Sequence, residues 1–234
     1  MKRFIPPACP ECPNRYGCPM SCCQPEELEM LSQAKSAQMY QRGQVIFQEN
    51  GRPMGLYCIH SGKIKVMKVG GDGKEQIIRL AREGDLLGYR GLLAGSSHSA
   101  SAVALEESIV CCIPRTEFFR IIEQNLRFTT SLMQLLSKAL GDAEERMLHL
   151  AYKPVRERLA EALLLLARTY QQQSQEPVTI PISRDDLASL VGTAKETTSR
   201  FVSEFRDEGV LQARGSLITI LNPARLAEIS TRYD

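Results

Sequence analysis

Eight cysteines occur among 234 residues, and five of them crowd into "ACPECPNRYGCPMSCC", Ala8 to Cys23, where Cys9, Cys12 and Cys18 are each followed by proline. The other three are Cys58, in "LYCIH", and the adjacent Cys111 and Cys112, in "SIVCCIP". Thiols act as metal ligands, as redox-active groups or as small buried hydrophobes, and in a reducing cytosol a disulfide framework is the least expected use. Cys58, in a strand, reads most simply as a small core residue. The three histidines, His60, His98 and His149, show no ligand spacing and read as surface or core filler.

A second set of residues lies in "KETTSRFVSEFRDEG". Glu196, Ser199, Arg200 and Ser203 recur at i, i+3, i+4 and i+7 and so share one polar helix face, while Phe201, Val202 and Phe205 point toward a core. A carboxylate and a guanidinium near the N-terminal end of a helix in the major groove can accept from cytosine N4 and donate to guanine O6 and N7. Lys195, Thr197, Arg184 and Arg214 are the expected phosphate contacts, which set register without reading sequence. The bland alternative is a solvated helix in which Glu196 completes a cap begun by Thr193; capping and base contact are compatible.

Both sets need elements to hold them. From Tyr40 to Pro114 short β-prone runs alternate with turn signals, most clearly "KIKVMKV" and "EQIIRL" joined by the hairpin loop "GGDGKE", which predicts a compact antiparallel β-roll. From Thr116 to about Leu150 the period becomes helical. Thr129, Met133, Leu136, Leu140, Ala143, Met147 and Leu150 follow one another at steps of four and three, an apolar seam that wants a partner helix and is expected to be a dimer interface, the bland alternative being that it packs on its own β-domain. Pro154 ends that pattern, and a further helix, "VRERLAEALLLLARTYQQQ", leads to the polar loop "QSQEP". Ser183 with Asp186 starts a helix that Gly192 ends; a second helix runs to Gly209, and the strands "VLQAR" and "LITIL" follow. The pattern is a winged helix-turn-helix. The expected fold class is α+β: a cysteine-rich arm over 1–24, a β-roll over 25–115, a dimerisation helix over 116–150 and a winged helix-turn-helix over 151–234.

Composition narrows the function classes. With 43% hydrophobic and 24% charged residues the chain can bury cores, and a net charge of +2 means that a polyanion must be met by a local basic face. No run of eighteen apolar residues exists, and the start "MKRFIPPACPECP" has no apolar core of a signal peptide, so the expected location is the cytoplasm. No catalytic triad, P-loop or G-x-G-x-x-G is present, which disfavours an enzyme or an electron-transfer protein.

A β-roll, a long seam helix and a winged helix-turn-helix headed by "KETTSR" resemble the CRP/FNR superfamily of bacterial transcription regulators over nearly the whole chain. Cyclic-nucleotide members carry a cassette similar to G-E-L-G-L followed by an R-S pair. The matching stretch here is "GYRGLLAGSSHSASA", with Tyr89 where the glutamate would stand and Ser99 where the arginine would, which leaves a cyclic phosphate without its bidentate partner. No cyclic nucleotide is therefore expected. The chain is more similar to the FNR oxygen-sensing branch, whose members hold a 4Fe-4S cluster on an N-terminal C-x2-C-x5-C set and a fourth cysteine just before an I-P pair. Cys9, Cys12 and Cys18 match the first three and Cys111 the fourth, ahead of Ile113 and Pro114. Glu196, Ser199 and Arg200 match the family's E-x-x-S-R. The resemblance implies a homodimer on double-stranded DNA with half-sites similar to TTGAT, and RNA polymerase as a partner. Better-known oxygen sensors of this branch place an acidic residue within the seam; the matching position here is Ala143, beside Asp142, Glu144 and Glu145.

The physics of the arm agrees with a cluster. Four thiolates must converge on one small cube, and a short arm supplies three only if it loops tightly; prolines after Cys9, Cys12 and Cys18 fix φ and bar the α-helix. Other uses remain open. Structural zinc also takes four cysteines, but closed sites more often pair two C-x2-C knuckles. Cys22 and Cys23 are vicinal thiols suited to a redox switch, either could replace Cys18, and Cys112 could replace Cys111. A regulator of the same fold that senses peroxide, nitric oxide or thiol redox state without a cluster is the alternative.

Overall fold

The computed structural model describes residues 7–171 and 177–231. The loop expected at 173–177 lies, apart from Pro177, outside them. The chain divides into two compact units, one of residues up to 68 with 78–140, the other of 69–77 with residues from 141 onward.

In the first unit the arm is neither a strand nor an α-helix. It makes two 3-10 turns, Pro13–Gly17 and Pro19–Cys22, each opened by a cysteine and a proline. Proline excludes an α-helix interior but its fixed φ suits a first helical position, so the residues that were expected only to bar helix also start these turns. Next comes a helix the sequence reading missed, α1 (Pro25–Ala34), where the Glu27 carboxylate accepts the Gln24 backbone N–H at 2.7 Å. Strands β1 (Ser36–Tyr40), β2 (Val45–Phe47), β3 (Gly55–Ser61), β4 (Ile64–Val69), β5 (Glu75–Ala81) and β6 (Leu86–Leu87) follow. Then come the short helix α2 (Tyr89–Ala94) and strands β7 (Ser101–Ala104) and β8 (Ser108–Pro114). They form two four-stranded sheets, ordered β1-β8-β3-β6 and β2-β7-β4-β5. The hairpin loop between β4 and β5 is the glycine-rich "GGDGKE", with the Gly70 N–H donating to Lys74 O at 2.8 Å.

The antiparallel register of β3 on β8 pairs Cys58 with Cys111 and Tyr57 with Cys112. Directly paired residues put their side chains on one sheet face and their neighbours on the other. Cys58 accordingly packs, with Cys9, Cys18, Cys22 and Cys23, against a core of Met20, Leu28, Leu31, Leu56, Ile113 and Phe118. Cys112 packs against a different core, around Tyr57, Ile59 and Val110 inside the roll.

The single helix expected over 116–150 is two, α3 (Arg115–Gln124) and α4 (Leu126–Tyr152). Asn125 between them is extended, at φ −123° and ψ 94°. Its side-chain Oδ1 accepts the Phe128 N–H at 2.9 Å, which caps α4 as Asn commonly does and stabilises its start by about 1 kcal/mol. Phe128 and Leu132 anchor the inner face of α4 in the core.

The second unit contains α5 (Val155–Tyr170), β9 (Thr179–Pro181), α6 (Arg184–Val191), α7 (Lys195–Asp207), β10 (Leu211–Arg214), β11 (Leu217–Ile220) and α8 (Pro223–Ser230). Ser183 caps α6, its hydroxyl accepting the Asp186 N–H at 3.0 Å, and Gly192 at φ +73° supplies the left-handed turn between α6 and α7. Strands β10 and β11 form the wing, and β9, which pattern reading left unassigned, adds a third strand by pairing Ile180 with Ile218. Val202 and Phe205 of α7 are buried as expected, whereas Phe201 is only half-buried, under the Arg200 guanidinium at 4.6 Å. Among the described residues no helix is long and apolar enough to cross a membrane.

Candidate functional site

Cys9, Cys12, Cys18 and Cys111 all line one cavity of ≈ 40 Å³ between the arm and the β1-β8-β3-β6 sheet. Backbone turns hold the arm's three thiols there: the Cys12 N–H donates to Cys9 O at 3.2 Å, and the Ser21 N–H to Cys18 O at 2.9 Å. A fifth thiol, Cys58, lines the same cavity, which its cross-strand pairing with Cys111 explains. Cys58 is therefore not merely a core filler; the register of β3 on β8, which no local pattern states, brings it to the cavity. Cys22, Cys23 and Cys112 do not line the cavity.

The walls are otherwise mostly apolar, including Met20, Leu28, Ile59 and Ile113, with two cations, Arg15 and Lys35, one imidazole, His60, and the amide of Asn14. Lys35 Nζ donates to Cys9 Sγ at 3.1 Å, and Cys12 Sγ lies 3.6 Å from His60 Nδ1. Burial pushes the Cys18 thiol up to about 11 and raises Cys58, while at Cys111 the Lys35 ammonium opposes the same upward push. Burial, with Glu27 next, takes Cys23 up to about 12. The thiolate is the reactive form, so Cys23 lacks the reactivity expected of an open arm.

The chemistry of this donor set fits the 4Fe-4S group that the resemblance implies: four soft thiols, three from a tight loop and one from a strand, in an apolar, partly enclosed space. Among the described residues no three His, Cys, Asp or Glu side chains come close enough together to hold a single ion; the thiols surround a space.

On α7, Glu196 and Arg200 are exposed and Ser199 is half-buried on the same face. The cap expected from Thr193 and Glu196 does not form. Ala194 is the N-cap with no side-chain bond, and Glu196 makes no hydrogen bond or ion pair among the described residues, which leaves its carboxylate free to accept from a base. Arg200 is held loosely by Glu204 at 4.0 Å. The expected phosphate contacts differ in readiness. Arg214 is exposed at the wing and Thr197 is half-buried; Lys195 is engaged by Asp185 at 2.8 Å, and one guanidinium nitrogen of Arg184 is buried without a hydrogen-bond partner among the described residues.

The seam is an open apolar stripe. Met133, Leu140 and Met147 are 61%, 62% and 64% exposed, Leu150 and Ala143 are exposed and Leu136 is half-buried. In the roll, Tyr89 is buried and its hydroxyl accepts from Arg79 at 3.2 Å, while Ser99 is exposed. Tyr89 is thus a core residue bonded to Arg79.

Two family models match the chain: a cyclic nucleotide-binding domain over residues 37–125 and a Crp-like helix-turn-helix domain over 157–229. The chain is 31% identical to the fumarate and nitrate reduction regulatory protein of Vibrio cholerae, over 95% of this chain and 90% of that one. It is 32% identical to the protein of the same name from Escherichia coli K12, over 81% and 76%. It is 30% identical to the cyclic AMP receptor protein of Thermus thermophilus, over 88% and 93%. Among solved structures, FixK2 from Bradyrhizobium japonicum matches with a TM-score of 0.74 and 26% identity, covering 83% of this chain and 96% of that one.

Proposed function

The chain belongs to the CRP/FNR family of DNA-binding transcription regulators, which are not enzymes, and from that premise we propose that it is the family's oxygen- or redox-responsive type. In this reading Cys9, Cys12, Cys18 and Cys111 hold a 4Fe-4S cluster, and the loaded protein binds a palindrome with half-sites similar to TTGAT as a homodimer. The observation that carries the reading is that those four thiols, three from the arm and one from β8, line a single cavity. Relatives named as regulators of fumarate and nitrate reduction, and one named anaerobic regulatory protein, support it. The similarity to a cyclic AMP receptor weighs less, because Tyr89 and Ser99 stand where an acid and an arginine would be needed.

Each part has its task. The arm (1–24) and roll (25–115) hold the sensor, the helix region (116–150) pairs two subunits through Met133, Leu136, Leu140, Ala143, Met147 and Leu150, and the remainder (151–234) meets DNA. When bound, the cluster supplies reactivity toward oxygen, which converts or destroys it. This chain's own contribution is to fix four thiolates in an apolar wall, to shield them with the arm, and to present Glu196, Ser199 and Arg200 to base edges while Lys195, Thr197, Arg184 and Arg214 meet phosphates. A DNA target implies action in the cytoplasm, with RNA polymerase as the partner downstream.

The test is anaerobic reconstitution with iron and sulfide, followed by gel shifts on a TTGAT palindrome before and after air. A brown chromophore, a specific shift and loss of both in air are expected, with Arg200→Ala abolishing the shift. A second reading, thiol sensing without metal, draws on one observation: the Lys35 ammonium donates to Cys9 Sγ at 3.1 Å, a cation set beside a thiol. Oxygen-free protein that lacks iron and acid-labile sulfide yet binds its site at full strength would decide for that second reading.

A further inference from the structure

Asn125 joins the cysteine arm to the helix that carries the seam. It is 8% exposed and uses its whole side chain: Oδ1 accepts the Phe128 N–H at 2.9 Å, while Nδ2 donates to Cys22 O at 3.0 Å and to Glu27 Oε2 at 2.7 Å. Cys22 ends the 3-10 turn that follows Cys18, and Glu27 Oε2 also accepts the Gln24 N–H at 2.7 Å. One buried amide therefore grips the arm about a hundred residues away in sequence and caps the first turn of α4.

We infer that Asn125 is the coupling residue through which the position of the arm sets the first turn of α4. The inference deepens the proposed sensor reading. Loading would tie Cys9, Cys12 and Cys18 of the arm to Cys111 of β8 through one group, and the Cys22 carbonyl, a few residues past Cys18, shifts as the arm settles on it. The amide must then follow or let go, and either response changes the cap on Phe128, since one planar group serves both ends. Thr129 reinforces the junction, its hydroxyl donating to Ile122 O at 2.8 Å and its N–H to Asn125 O at 3.1 Å. A continuous helix carries the change from there to Met133 and Leu136.

The test uses the full chain and two variants. Asn125→Ser keeps an acceptor for the Phe128 N–H and is too short to reach Cys22; Asn125→Asp keeps length and acceptor and removes the donors. Hydrogen exchange at the Phe128 and Thr129 amides is compared in the iron-loaded and iron-free proteins, with iron content and absorbance recorded. The wild type should change by about tenfold between states, and the variants, with unchanged iron, by less than about threefold. A wild type that does not respond, or either folded variant that responds as the wild type does, overturns the inference. If the wild type takes up no iron, the sensor reading fails separately, and alkylation of the arm's thiols replaces iron as the perturbation with the same two outcomes.

Discussion

Cys111 and Cys112 are adjacent in the chain and opposite in surroundings. Cys111 pairs with Cys58 and lines the arm's cavity; Cys112 pairs with Tyr57, inside the roll. Cys111→Ala should therefore lose the chromophore of reconstituted protein and Cys112→Ala keep it, read by absorbance and iron per chain; the reverse result would move the ligand to Cys112. Strand alternation made the opposition of the two thiols legible, but which one faces the arm depends on the register with β3, which no local pattern states. On α7 the shared face of Glu196, Ser199 and Arg200 was legible from i, i+3, i+4 spacing alone. The free carboxylate of Glu196 was not, because a Thr-x-x-Glu pattern promises a cap that the backbone, starting its helix at Lys195, does not use. Arg200→Ala should weaken specific binding by about 1–3 kcal/mol at the matched base pair. Arg214→Ala should weaken all sequences alike and flatten the salt dependence of binding by about one unit per subunit, measured by titration across ionic strength.

Helix α4 presents two faces with different fates. Phe128 and Leu132 are spent on the core of the first unit, while the stripe through Met133, Leu140 and Met147 remains open. Because Leu140 is 62% exposed, Leu140→Glu should leave folding stability within about 0.5 kcal/mol and yet break the dimer, where two like charges would be buried together. Thermal melts and sedimentation at matched concentration separate the two effects. Ala143 in the same stripe removes the acidic repulsion that related sensors place there. The iron-free form should thus dimerise more readily than the resemblance implies, and a clean monomer after iron removal would rule this out. Periodicity marked the exposed apolar stripe, since a stripe is a local, repeating signal. It ran through the break at Asn125 because that break arises from bonds to Cys22 and Glu27, far away in sequence.

The chain combines a β-roll unit and a helix-turn-helix unit under a net charge of only +2, so attraction to DNA must come from one basic face and not from overall charge. In a twofold homodimer the two reading helices meet half-sites about one helical turn apart. Inserting five base pairs between TTGAT half-sites should reduce the gel shift to the level of a single half-site, and undiminished binding would argue against a symmetric dimer. Spacing and periodicity in the chain alone identified the thiol-rich arm, the strand alternation, the seam and the helix pair with its wing, because each is written in neighbours a few residues apart. The joining of Cys18 to Cys111, the recruitment of Cys58, the burial of Tyr89 on Arg79 and the grip of Asn125 on Cys22 depend on sheet register and on buried hydrogen bonds between distant segments. Those pairings are selected only when the whole core packs, since each polar group then needs a partner and few remain within reach.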